Sequence, residues 1–401
     1  MEERKKSFPP SGKGGSGAPG RSRGGGRRGG FGGRGGRPRS GGPRPHQVHP
    51  PRELKDGFAA GNPDEKPIPP LEPGNIRIIP LGGVEEIGRN MTAIEFGNDI
   101  VVIDCGFQFR EADTPGIDYI LPNTKYLEDR QDKLRAMFIT HGHLDHIGGI
   151  PYVIDRIGYP PIYTRKLTSI MVKKRQEEFP NLKPLTIHEV EKEDTVRVGD
   201  LKVRFFSVTH TIPDSMGIII ETPYGLVVFT GDLKLDHVNG VPTEAEEKEF
   251  AFFKDKKVLF LAADSTNVEK AGFSIPESTV KKNMDDIIAT TPGRLIIGTF
   301  SSQLERLMRM VEQAERVGRK VLVEGRSMKI NLEIVKHLGL LKVSEKTFIG
   351  PEQLDQLPDP KVLILATGAQ GDEFAALMRI AMKTHKYVKL KQGDTIVLSS
   401  S

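Results

Sequence analysis

The stretch AMFITHGHLDHIGGIPY, residues 136–152, places three histidines and an aspartate within six positions at the end of an apolar run. Ionisable side chains bury poorly unless they are paired or coordinated. So dense a group at the mouth of a buried strand therefore restricts the chain to folds that bring further polar partners to the same edge. The pattern is H-x-H-x-D-H. His141 and His143 are two apart, so in extended backbone they project to the same side and can share one metal ion. Asp145 and His146, a step further round the turn, can face a second ion. Gly148 and Gly149 let the backbone turn away without side chains crowding the group. The spacing differs from H-E-x-x-H, in which both histidines sit on one helix face.

Three other apolar strands end on a polar residue of suitable chemistry. DIVVIDCG carries Asp104, VRFFSVTH ends at His210, and LVVFTGD ends at Asp232. All of them can meet at one edge of a sheet. Four of the ten histidines are accounted for in this way. His46 and His49 lie in the N-terminal tail, while His188, His237, His337 and His385 have no partner cluster and read as structural or surface residues.

Net charge has meaning only when the chain is divided. Residues 1–52 hold 13 Lys and Arg against two acids, a net of +11, so the remainder of a chain with net +5 carries −6. Residues 1–74 are a Gly/Arg-rich segment followed by a Pro-rich spacer, too poor in apolar residues to offset the entropy of ordering. Such a disordered RGG-type tail suits nonspecific contact with nucleic-acid backbones. From residue 75 to 262, short strands separated by Gly/Asn turns predict a strand-rich α/β layer domain. From 263 to 401, strand and helix alternate as in a parallel doubly wound sheet. Leu304, Leu307, Met308, Val311, Ala314 and Val317 keep helical spacing there. The single cysteine, Cys105, excludes a disulfide framework and any cysteine-rich zinc module. The absence of an apolar run of about 20 residues or of a hydrophobic leader predicts a cytoplasmic protein with no membrane partner.

Taken together, Asp104, the H-x-H-x-D-H run, His210 and Asp232 resemble the metallo-β-lactamase superfamily, whose fold is an αββα sandwich. That resemblance implies that His141, His143 and His210 hold one zinc ion, that Asp145 and His146 hold another, and that Asp232 bridges the two. Asp104 would orient the ligands from behind. The segments LGGVEEIGRN, GIDYILPN, ITHGHLDHIGGIPY, TIPDSMGI, TGDLKLD, ADSTN, GRSM and ATGAQGDEFAALMRIA resemble the ribonuclease J family almost continuously from residue 75 to 401. The second domain would then be an inserted β-CASP domain. Asp264 in ADSTN matches its first acidic motif and joins Asp104 and Asp145 as an expected catalytic residue. The loop GTFSSQ matches a stretch that lines the RNA channel, which makes Thr299, Phe300, Ser301 and Ser302 expected substrate-binding residues. Without the resemblance, Ser301 or Ser302 reads as an ordinary helix N-cap.

What the resemblance implies is a metal-dependent, 5′-to-3′ exonuclease and endonuclease of mRNA decay and rRNA maturation, with two Zn²⁺ per subunit. It also implies homodimers or homotetramers and association with RNA-degradation complexes. Members of the family return after the β-CASP insert with a further ligand histidine, so the chain reads as a truncated member with the second metal one ligand short. Two rivals stand beside this reading. One is a zinc hydrolase of a small ester or lactam, disfavoured by the second domain; the other is an RNA-binding module without activity.

Overall fold

The computed structural model describes residues 68–109, 116–368 and 375–399. Residues 1–67 of the tail expected at 1–74 therefore lie outside the described residues. Two sheets face each other in the first half. One is β1 (Ile76–Gly82), β2 (Met91–Phe96), β3 (Asp99–Ile103), β4 (Leu134–Phe138), β5 (Ile162–Thr164) and β6 (Ile187–Glu189), hydrogen-bonded in that order. It is antiparallel from β1 to β3 and parallel from β3 to β6. β4 is central and buried on nearly every residue, as its two-sided apolar sequence predicts.

The other sheet holds β7 (Thr195–Val198), β8 (Leu201–Ser207), β9 (Met216–Thr222), β10 (Gly225–Phe229) and β11 (Val258–Ala262), in the order β11-β10-β9-β8-β7. Only the β10–β11 pair is parallel. Between the sheets lie Ile94, Val101, Phe138, Val203, Ile218 and Phe229, the alternating inward residues of both. The outer face of the first sheet is covered by Tyr126, Leu127, Ile150, Val153 and Val172, from α1 (Lys125–Glu128), α3 (Ile150–Val153) and α4 (Lys166–Gln176). Phe250, Phe252 and Phe253, at and just after α5 (Glu244–Phe250), cover Phe206 and Ile219 on the second sheet. The layers are helix, sheet, sheet, helix, the expected αββα sandwich.

The second half is a four-stranded parallel sheet of β12 (Leu295–Thr299), β13 (Lys320–Glu324), β14 (Val362–Ala366) and β15 (Thr395–Ser399), in the order β13-β14-β12-β15. α6 (Glu277–Thr290), α7 (Leu304–Arg316) and α8 (Arg326–His337) pack on one face through Ile288, Leu307, Val311 and Leu332. α9 (Ala376–Ala381) packs on the other through Leu377 and Ile380.

Some details depart from the sequence reading. The run after the metal-ligand pattern forms two single-turn helices, α2 (Leu144–Ile147) and α3, because Gly148 and Gly149 interrupt it. The N-cap of α7 is Gln303 and makes no side-chain cap bond, so neither Ser301 nor Ser302 has that role.

Candidate metal centre

All six expected ligands come together at one edge of the sandwich. His141 follows β4, His143 caps α2, and Asp145 and His146 lie within it. His210 and Asp232 sit in the turns beyond β8 and β10 of the opposite sheet. The two sheet ends are joined here by a bond from Met216 N–H to the Thr140 carbonyl, 3.0 Å. The approach is close enough that Gly231, at φ +59°, has no room for a side chain: a Cβ would fall 2.8 Å from that of Thr140.

The segment after β3 is stitched to the ligand turn in the same manner. Cys105 N–H donates to His146 O at 2.8 Å and Gly149 N–H to Cys105 O at 2.9 Å. Gly106 lies so near the turn that a Cβ would come within 1.5 Å of Asp145 O. Asp104 takes a left-handed φ of +60°, a conformation aspartate tolerates better than most residues. From there its Oδ1 accepts the Thr140 N–H at 2.8 Å and its Oδ2 lies 2.8 Å from His146 Nδ1.

These contacts set the tautomers. A carboxylate only accepts, so His146 Nδ1 carries a proton. Burial opposes charge on this ring, yet Asp104, Asp232 and Asp145 outweigh it and hold its pKa well above the ordinary histidine range, so a cation bound here would take the place of the proton on Nε2. Nε2 is 3.2 Å from Asp232 and 3.5 Å from Asp145. The Thr140 hydroxyl faces both Asp104 oxygens, at 3.1 and 2.9 Å, and the Nδ1 of His141 at 3.0 Å. It donates to the carboxylate and accepts from His141, which leaves His141 Nε2 free. His143 is turned the other way: its Nε2 meets Thr211 Oγ1 at 3.2 Å, and its ring lies against the main chain of Ser302.

The three remaining nitrogens converge. His143 Nδ1 is 3.0 Å from His141 Nε2 and 3.2 Å from His210 Nε2, with Asp232 Oδ2 3.9 and 3.7 Å from the latter two. Burial, reinforced by the neighbouring imidazoles, holds His141 well below the ordinary histidine range. Burial also lowers His143, and with the adjacent His143 it brings His210 down to about 4. Three neutral imidazoles with lone pairs aimed at one point, flanked by a carboxylate, are a donor set that fits a divalent cation. The second group, Asp145, His146 and Asp232, has its ligand atoms within 4.8 Å of one another. Burial opposes charge on Asp232, yet His146, His210 and His143 outweigh it and hold the carboxyl well below its usual range.

Asp104 and Asp264 do not join the ligand atoms. Asp104 stands behind His146 and Thr140. Asp264 is half-buried and accepts Leu233 N–H at 3.2 Å and Thr266 N–H at 2.9 Å, bracing the segment that follows Asp232. Of the loop residues, Thr299 is fully buried and its hydroxyl donates to Gln303 Oε1 at 3.1 Å. Phe300, Ser301 and Ser302 are half-buried, and Ser302 meets His143 through its main chain. His237 serves a hairpin turn, accepting Gly240 N–H at 3.1 Å and bonding Ser274 O at 2.8 Å.

Sequence reasoning did not single out Asn90, Thr140 or Thr211. The Asn90 amide nitrogen lies 3.1 Å from both His146 Nε2 and Asp145 O. Its signal was its place at the end of the Gly-rich LGGVEEIGRN turn.

Comparison with known proteins agrees with this geometry. Residues 84–274 match the family model described as metallo-beta-lactamase superfamily, and residues 292–401 the one described as ribonuclease J, beta-CASP domain. Ribonuclease J 1 of Streptococcus pyogenes is 39% identical over 331 residues, covering 82% of this chain and 59% of that protein. Ribonuclease J of Thermus thermophilus is 40% identical over 339 residues, covering 82% and 58%. The chain thus spans less than two thirds of the length of these curated relatives. A solved structure of a protein of unknown function from Enterococcus faecalis shares the fold, with a TM-score of 0.53 at 17% identity over 80% of this chain and 88% of that one.

Proposed function

We propose that this chain, which belongs to the ribonuclease J family of β-CASP metallo-β-lactamase proteins, is a zinc-dependent ribonuclease that hydrolyses RNA phosphodiesters. The observation that carries the reading is the convergence of four imidazoles and two carboxylates, drawn from both sheets, at one sandwich edge. His141, His143 and His210 would hold one Zn²⁺, Asp145 and His146 a second, and Asp232 both. Imidazole-rich ligation suits zinc and other first-row transition ions rather than magnesium or calcium. Bound there, such ions lower the pKa of a water and offset the charge gathering on the phosphate oxygens.

The chain's own residues supply orientation and proton handling. Asp104 keeps a His146 proton on Nδ1, and Thr140 keeps that of His141 on Nδ1, so both rings turn Nε2 toward the substrate side. In the reaction, the water oxygen adds to phosphorus and the P–O3′ bond breaks. Asp145, at the mouth of the site, takes up the proton lost by the water and passes it to the departing O3′. The products are a 3′-hydroxyl and a 5′-phosphate. Asp264 holds the Asp232 segment, and the half-buried Phe300, Ser301 and Ser302 of the Thr299–Ser302 loop form one wall of the RNA path.

The same proposal includes domain limits of 75–262 and 263–401, 5′-to-3′ exonuclease as well as endonuclease action in mRNA decay and rRNA maturation, and a cytoplasmic setting. Homodimers or homotetramers and RNA-degradation complexes are its proposed assemblies. Among the described residues no helix is long and apolar enough to cross a membrane.

The test is digestion of a long RNA labelled at either end, bearing a 5′-monophosphate or 5′-triphosphate, with Zn²⁺ present and Asp145→Ala/His146→Ala as control. Mononucleotide release from the monophosphate substrate, absent in the control, is the expected result. RNA that is bound and never cut refutes the proposal in favour of a binding module.

A further inference from the structure

A buried polar chain links the metal centre to the four-stranded parallel sheet and takes no part in ligation. Glu277 opens α6, and its carboxylate is held by both ends of the Arg306 guanidinium, Nε at 2.7 Å and Nη2 at 2.9 Å. Arg306 is only 5% exposed. Its Nη1 reaches Gln303 Oε1 at 3.3 Å and Ser399 Oγ, at the end of β15, at 3.4 Å. Gln303 in turn receives the Thr299 hydroxyl. Arg306 therefore fixes Gln303 at one end of the five-residue loop and, through it, Thr299 at the other; between them lies Ser302, whose main chain meets His143.

The other side of Glu277 faces the sandwich. Lys234 Nζ lies 3.3 Å from Glu277 Oε2, and the Lys234 main chain donates to Thr209 O at 2.8 Å. Lys234 stands two residues after Asp232, and Thr209 one before His210. Thr211, which bonds His143 Nε2, receives the main-chain N–H of Glu305 on α7 at 3.3 Å. Each ligand of the three-histidine group that lies outside the β4 turn is thus connected within a few bonds to the Glu277–Arg306 pair.

A bidentate carboxylate–guanidinium pair that is nearly dry has a fixed geometry as well as a charge. Partners behind metal ligands set ring orientation, and their loss commonly costs 10–100-fold in metal affinity. We infer that Glu277 and Arg306 are positioning residues for the metal centre: their fork registers the Thr299–Gln303 loop against His143 and, through Lys234, against the segments carrying His210 and Asp232. The inference rests on the metal-site part of the proposed function, and on no step of RNA cleavage.

The experiment uses the full chain and reads metal binding. Co²⁺ and Zn²⁺ affinities are measured by competition with a chromogenic chelator for wild type, Glu277→Gln and Arg306→Lys, together with hydrogen exchange of residues 299–303. Arg306→Lys retains a buried cation but loses the fork; should Glu277→Gln fail to fold, Arg306→Lys decides alone. The expected result is a roughly tenfold or greater loss of affinity, an altered Co²⁺ absorption spectrum, and faster exchange of the loop, with the far-UV spectrum unchanged. Affinity within about twofold of wild type and unchanged loop exchange, beside a lowered unfolding midpoint, would make the pair a structural strut and overturn the inference. A chain that binds metal in this pattern and cuts no RNA removes the ribonuclease reading alone, whereas a wild-type chain that binds neither ion overturns both.

Discussion

Replacing Asp104 by Asn isolates what the carboxylate behind the ligands does. Asparagine has the same size and tolerates the φ of +60°, and its carbonyl can still accept the Thr140 N–H. The change falls on the 2.8 Å contact with His146 Nδ1, where an amide N–H₂ would now face an N–H. Relief requires the histidine proton to move to Nε2, the nitrogen that lies 3.2 Å from Asp232, and that removes the lone pair from the second ligand group. A hydrogen bond to a charged partner is worth about 1.5–3 kcal/mol, which at about 1.4 kcal/mol per decade is a loss of roughly 10- to 150-fold in affinity. Calorimetric titration with Zn²⁺ at pH 7.5 is the assay. Asp104→Asn should keep the step that belongs to His141, His143 and His210 and weaken the other at least tenfold. Two steps with wild-type affinities would refute the tautomer argument.

Other outcomes follow from local geometry. Gly106→Ala places a methyl group against the Asp145 carbonyl and should destabilise the chain by more than about 3 kcal/mol in urea unfolding, or prevent folding. Asp214 accepts the Thr168 N–H and hydroxyl, both at 3.1 Å, in the first turn of α4; Asp214→Ala should cost about 0.5–2 kcal/mol, the range of a lost cap. Burial pushes Glu277 upward, but the hydrogen bonds and charge of Arg306 and the charge of Lys234 outweigh it, so its folded pKa lies below 4.5. A depressed carboxylate gives stability that is present above its unfolded pKa and is lost as pH falls through the folded one. The urea midpoint of Glu277→Gln should therefore lie below wild type at pH 7 and converge on it as the pH falls through the depressed pKa of Glu277.

The ligands were legible because polar residues at the ends of apolar strands have few other uses, and strand ends are easy to find from alternation and turns. The strands of both sheets and the helix at Leu304–Arg316 were legible for the same reason: their periodicity is strong. What supports the ligands was not. Thr140 and Thr211 are ordinary residues in sequence, and their importance arises only when β4, β8 and β9 meet. The ADSTN motif marks Asp264, but nothing in it announces that the carboxylate accepts the main-chain N–H groups of Leu233 and Thr266. Thr299 was read as facing substrate, yet as the last residue of a central parallel strand it points into the network around Gln303. The Glu277–Arg306 fork joins residues 29 apart on two helices, a tertiary pairing that no local pattern encodes.

The division of the ligands between two sheets has a consequence for time rather than affinity. His141, His143, Asp145 and His146 hang from β4, while His210 and Asp232 hang from β8 and β10, so neither sheet alone offers a complete set. An ion can be captured only after the sandwich has closed. Interactions absent from the transition state act on escape from the native state and not on entry to it. A saturating cation should thus leave the refolding rate of the chain unchanged and lengthen the lifetime of the folded form, the bound ion acting as a clasp that closes last and must open first.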